Sequence, residues 1–217
     1  MWLRDVLPLE YPNARVMTVE YDVNVFVRPA THFDFVGDIL ETIRTVRADL
    51  SRRPIVFVVH SLGGPVVQAL MRHAHAHGTR YSDILNSTTA ILFFGVSHPY
   101  SCDMPQVLNR IARIAGLDDV GWRNLQTWRD PLLDLMIDFW RLAARFQLVI
   151  FEDDRSLLDP QTTLGLAPVN GERKCLFGVN HTMTVGFTGR ELAYSSMNQT
   201  LSDFLRPVSL YARQPAP

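Results

Sequence analysis

Cysteine is scarce in this chain, with Cys102 and Cys175 the only two in 217 residues. Two thiols allow one bridge at most, and their spacing fits no metal-ligand pattern, so neither a disulfide framework nor a zinc module is expected to organise the fold. Both read as buried or incidental thiols. A bias of charge is lacking too, since 21 lysines and arginines face 22 aspartates and glutamates. That balance gives no footprint for nucleic acid and no polybasic contact for a membrane surface. No stretch approaches the roughly 18 continuous apolar residues of a membrane span. Met1-Trp2-Leu3-Arg4-Asp5 carries charge where a secretion signal needs an apolar core, so a cytoplasmic location is expected. With no G-x-G-x-x-G, no Walker segment and no metal-ligand spacing, no cofactor and no metal is implied.

What is present is apolar material, 47% of the residues, enough for one domain over 1–217 with a substantial core. Short apolar runs alternate with longer amphipathic stretches, the pattern of a mainly parallel α/β sheet with helices on both faces. Strands are expected at Ala14–Tyr21, Ile55–Val59, Thr89–Gly95, Gln147–Phe151 and Lys174–Val179. Between the first two, Thr31 and Asp34 form a capping-box variant, and Val36, Ile39, Leu40, Ile43, Val46 and Leu50 keep one helical face apolar. Thr188 and Glu191 cap a last helix through Leu192, Met197, Leu201, Phe204 and Leu205, after which the tail should fray.

The run Ile55-Val56-Phe57-Val58-Val59-His60-Ser61-Leu62-Gly63-Gly64 concentrates the chemistry. A buried strand breaks at a serine followed by two glycines, and Pro65, Val66, Val67, Leu70 and Ala74 continue as a helix. In a nucleophile elbow the serine occupies a strained strand-to-helix turn, with its hydroxyl above the sheet edge and the next N–H, here that of Leu62, facing the developing oxyanion. Gly63 and Gly64 relieve crowding on one flank, whereas Val59 stands where G-x-S-x-G has glycine. The competing interpretation is a serine that merely caps a helix.

A serine needs a base and an orienting acid, in this fold in the order serine, acid, histidine. His181 follows the last apolar run and precedes the last helix, and it is the expected base. His73, His75 and His77 fall on or just beyond the helix behind the elbow and read as solvated. The strand at Gln147–Phe151 runs into Glu152-Asp153-Asp154, so Glu152 is the first choice of acid and Asp153 the second, with Asp154 and Asp159 read as turn residues. His60 and His98 could touch substrate or serve as packing groups. The segment 104–146 breaks the α/β rhythm with two helical patterns, the second opened by Asp130 as cap and Pro131 at the first helical position. It holds Trp122, Trp128 and Trp140. It is expected to be a helical cap insertion, with Trp128 and Trp140 lining an apolar acyl or aromatic pocket, although aromatics at helical spacing are more often core.

Four strings, Trp2 to Pro8, Asn13 to Asp22, His60 to Gly64 and Phe93 to His98, resemble the α/β-hydrolase domains of the serine-esterase and lipase-like group. That group includes inositol-deacylase-like proteins, phosphatidylglycerol-remodelling proteins and fungal chains fused to NACHT or repeat modules. The resemblance covers most of the chain and implies an α/β-hydrolase fold, with His181 as base and Glu152 as acid. In the family the fourth string reads F-L-G-T-P-H-R-G, so Ser97 replaces a proline and Pro99-Tyr100 an arginine-glycine pair. Family members also place a strand and an H-G-x-x-G loop ahead of their tryptophan-leucine-arginine-aspartate segment. This sequence opens at that segment, so the expected fold is N-terminally truncated, without the loop that donates the second oxyanion N–H. Losing one such donor costs on the order of a hundred- to a thousandfold in rate. The open strand edges that truncation would leave imply a homodimer. Three readings follow: a serine hydrolase acting on a small-molecule or lipid ester or thioester; a hydrolase-fold enzyme turned to acyl transfer, cyclisation or lyase chemistry; and a non-catalytic interaction module.

Overall fold

Four strands pair in parallel in the order in which the chain makes them: β1 (Ile55–His60), β2 (Thr88–Phe94), β3 (Gln147–Asp153) and β4 (Gly171–Leu176). The computed structural model describes residues 2–22, 33, 35–48, 53–96, 104–153, 171–176 and 192–211. Helices precede and connect these strands: α1 (Trp2–Asp5), α2 (Leu7–Glu10), α3 (Phe35–Val46), α4 (Gly63–Ala76), α5 (Gly78–Ser87), α6 (Met104–Ala115), α7 (Asp119–Gln126), α8 (Arg129–Leu142) and α9 (Leu192–Tyr211). This is the α/β architecture expected of an α/β-hydrolase fold.

Side-chain alternation along the strands divides the interior into two cores. Ile55, Val59, Ile91, Phe93 and Leu148 point to one face, where α3, α4, α5 and α8 supply Leu40, Leu70, Met71, Ile84 and Phe139. Ala90, Leu92, Phe94, Val149 and Phe151 point to the other, where α1, α2 and α9 supply Trp2, Leu7, Tyr194, Met197 and Leu201. Strands buried on both faces need apolar residues at successive positions, which is why Ile91 to Phe94 carries no polar side chain. The two ends of the chain meet on the second face. Trp2 packs edge-on against Tyr194, the Tyr194 hydroxyl donates to Glu10 Oε2 at 2.9 Å, and the Tyr11 hydroxyl donates to Asn198 Oδ1 at 2.8 Å.

Several elements differ from the sequence expectation. Ala14–Tyr21 forms no strand, although Val16, Met17, Thr18, Val19 and Tyr21 have the composition of one. A strand exists only through a paired neighbour, and propensity cannot supply one. β4 begins at Gly171, three residues before the expected Lys174, because its pairing with β3 takes in Glu172 and Arg173. An edge strand forms its ladder through the backbone and tolerates charge, so the apolar pattern misplaces it. α8 starts at Arg129, with Trp128 at its N-cap position, so Asp130 lies in the first turn and is not the cap. Trp128 has helical backbone angles and accepts from the Leu132 N–H at 2.9 Å, which extends the helix past the residue that composition suggested. The caps assigned to Thr31 and to Thr188 with Glu191 lie outside the described residues. Among the described residues no helix is long and apolar enough to cross a membrane, and no three His, Cys, Asp or Glu side chains form a group that could hold a metal ion.

Candidate active site at the strand C-terminal edge

Parallel pairing brings the C-terminal ends of all four strands to one edge, where an open α/β sheet binds its ligands. Register fixes what stands there. His60, Phe94, Phe151 and Lys174 form one row across the sheet, and the next step carries Ser61 after β1, Gly95 after β2, Glu152 in β3 and Cys175 in β4. The row continues beyond the strand ends through two backbone bonds: the Ser61 N–H donates to Phe94 O at 3.0 Å, and the Gly95 N–H donates to Phe151 O at 3.1 Å. Ser61 and Glu152 therefore start from main-chain positions two strands apart, roughly 10 Å.

Ser61 has a positive φ of 49°, and among the described residues no other non-glycine residue does. A left-handed backbone costs an L-residue about 1–2 kcal/mol. A serine acting only as helix cap would have extended angles, whereas here Leu62 holds the N-cap position with helical angles and no side-chain cap bond is made. The Gly64 N–H donates to Ser61 O at 3.0 Å, closing the turn into α4. The Leu62 amide thus stands at a helix N-terminus, where main-chain N–H groups have no intrahelical acceptor. Val59 does not crowd the turn: even a Cβ placed on Gly63 would lie 3.6 Å from Val59 Cβ, an ordinary contact.

The other sequence candidates are distributed unevenly. Glu152 and Asp153 belong to β3, paired in the ladder with Cys175 and Leu176, so Glu152 stands in the row of Ser61 and Asp153 one step beyond it. His181 and His98 lie outside the described residues, as does Asp154; His181 follows β4 by a few residues in sequence. His60, the last residue of β1, is half-buried. Trp128, at the α7–α8 junction, is 1% exposed and stands edge-on to Phe33 with centroids 5.3 Å apart, so in this arrangement it packs as core. Trp140 is half-buried and leans on Phe139, with centroids 5.2 Å apart. α8 lies along α4, with Phe139 meeting Phe93 of the sheet edge-on and Arg72 paired to Asp138 at 3.7 Å. Sequence alone assigned no role to Gly95 and Val96. Their signal is a Gly after the apolar run Ile91 to Phe94, the same strand-to-turn break seen at Ser61.

No protein-family model matches the chain. Over 106 residues it is 28% identical to the protein SERAC1 of Danio rerio, a stretch covering 45% of this chain and 16% of that one. The SERAC1 of Bos taurus is 30% identical over 102 residues, 45% of this chain and 15% of the relative. The chain thus spans about a sixth of the length of these relatives. Among solved structures, a monoacylglycerol lipase from Paleococcus ferrophilus shares 14% identity with a TM-score of 0.43, covering 80% of this chain and 75% of that one.

Proposed function

We propose that the chain is a serine hydrolase that cleaves a carboxylic ester or thioester with an apolar or aromatic acyl group, on a small molecule or a lipid. The observation that carries this reading is Ser61 in a strained left-handed turn between β1 and α4, in the same row as Glu152. Strain of this kind persists where the surrounding structure enforces it, and it is characteristic of functional turns. In the proposed cycle Ser61 Oγ attacks the acyl carbon while His181 takes its proton, and the Leu62 N–H donates to the oxyanion. Collapse expels the leaving group, which takes the proton back from His181, and water then resolves the acyl-enzyme by the same steps. Glu152 is the group that orients His181 and stabilises its charged form, with Asp153 as the second candidate.

A fluorophosphonate probe tests the reading, because an activated serine attacks it and displaces fluoride. Wild-type protein should take one label, and Ser61→Ala and His181→Ala should take none. Glu152→Gln should slow labelling by about four orders of magnitude, as loss of a triad acid does, while Asp153→Asn leaves it near wild type. The reverse result for the two carboxylates would move the acid to Asp153. No label on the folded wild-type chain would remove the hydrolase reading.

A further inference from the structure

Val96 occupies the space that a side chain at Gly64 would need. A Cβ placed on Gly64 would lie 2.4 and 2.8 Å from the two Cγ atoms of Val96 and 3.2 Å from its Cβ. Ordinary contact begins at 3.4 Å, so 1.0 Å of movement separates the two (3.4 less 2.4). What brings Val96 there is the turn at Gly95, whose φ of +53° a residue with a side chain rarely adopts. Gly95 is in turn fixed to β3 by its N–H bond to Phe151 O. A continuous mechanical path therefore leads from β3 through Gly95 to the Val96 side chain, then onto Gly64 in the first turn of α4. From Gly64 it reaches Ser61 through the 3.0 Å bond between the Gly64 N–H and Ser61 O. The other side of Ser61 is tied to β2, where its own N–H bonds to Phe94 O.

We infer that Val96 is a positioning residue for the nucleophile: its isopropyl group sets how closely the first turn of α4 approaches the sheet edge, and so where Ser61 Oγ and the Leu62 amide stand. The inference rests on the serine-hydrolase reading and adds to it a residue outside the triad. Misplacing reacting groups by 1 Å can cost on the order of a hundredfold in rate. The three atoms nearest that Cβ all belong to Val96. A smaller residue at 96 should therefore make room for a methyl group at 64.

The test is the concentration dependence of fluorophosphonate labelling on the full chain, which separates a limiting rate from an apparent Kd. Gly64→Ala should lower the limiting rate by on the order of a hundredfold, with the Kd within about twofold. Gly64→Ala combined with Val96→Ala should recover at least about tenfold of that loss. Should Gly64→Ala fail to fold by near-ultraviolet circular dichroism, the single variants at 96 decide. Val96→Ala should label more slowly than wild type, and Val96→Thr, which keeps the shape, should label at the wild-type rate. A folded Gly64→Ala that labels like wild type, a double variant no faster than Gly64→Ala, or equal rates for the two position-96 variants would each overturn the assignment while leaving a labelled wild type as a hydrolase. A wild-type chain that takes no label overturns both.

Discussion

In the serine-hydrolase reading, Ser61 combines two demands that ordinarily conflict, a reactive position and a backbone that costs free energy. At φ 49° the serine side chain bears a left-handed penalty that glycine would not. Ser61→Gly should therefore be more stable than Ser61→Ala by about 1 kcal/mol, measured by urea unfolding. That order is opposite to the one found in a helix interior, where alanine is favoured. Equal midpoints would mean that the turn is not strained in solution. Tyr21 offers a pH-dependent counterpart. Its ring lies against Phe35 at 5.8 Å, and burial pushes its phenol up to about 12 from 10.0. The raised value favours the protonated phenol in the folded state, so this contribution is fully present below pH 10 and is lost as pH rises toward about 12. A rise of that size is worth roughly 2 to 3 kcal/mol at most. Across that window Tyr21→Phe should lose stability less steeply than wild type, and parallel curves would show that the phenol ionises freely in the fold.

At the scale of elements, Trp128 separates a structural role from a substrate-facing one. It sits where α7 passes into α8, buried against Phe33 ahead of α3, and Phe33 continues through Phe35 to Tyr21. Trp128→Ala should cost about 3–5 kcal/mol as a buried large-to-small change. In a chain of this size each kcal/mol lowers Tm by roughly 2–4 °C. Substrate KM, measured well below the lowered Tm, should stay close to wild type if the indole is only core, and a rise in KM without the loss in Tm would place it in an acyl pocket. The indole also shows where the sequence stops being legible. β2 could be read because its stretch Ala90 to Phe94, buried on both faces, is apolar at every position, β1 because Ile55 to Val59 is an unbroken apolar run, and the Ser61 turn because Gly64 stands where room is short. β4 was partly hidden, since Glu172, Arg173 and Lys174 satisfy an edge ladder through their backbones. Ala14–Tyr21 misled in the opposite way, having strand composition without a strand's partner. Aromatics in α7 and α8 carry the same helical spacing whether they face a core or a ligand, so only packing distinguishes them. For the candidate site, the places of Ser61, Leu62 and Glu152 at strand ends were legible, whereas the approach of Val96 to Gly64 depends on a contact between residues 32 apart (96 less 64).

For the whole molecule, the sheet separates two cores of different origin. One core is built from α3 and the helices that connect the strands, and the other is closed by α1, α2 and α9, Trp2 and Leu7 meeting Tyr194, Met197 and Leu201. The tryptophans divide along the same line: Trp2 lies on the chain-end face, and Trp122, Trp128 and Trp140 lie on the other. Phe94 and Phe151, stacked 4.4 Å apart on the chain-end face, belong to the strands whose next residues carry the Gly95 turn and the Glu152 carboxylate. Loosening the chain-end face should consequently reach the sheet and, through it, the opposite core. Trp2→Ala removes a buried indole, a change worth about 3–5 kcal/mol, and leaves three tryptophans as reporters on the far face. In urea their fluorescence should move to the same lowered midpoint as the far-ultraviolet circular dichroism, as a single cooperative unit requires. A tryptophan transition that stays at the wild-type midpoint while the dichroism splits would mean that the chain-end helices clasp an already stable sheet, and that the edge carrying Ser61 does not depend on them.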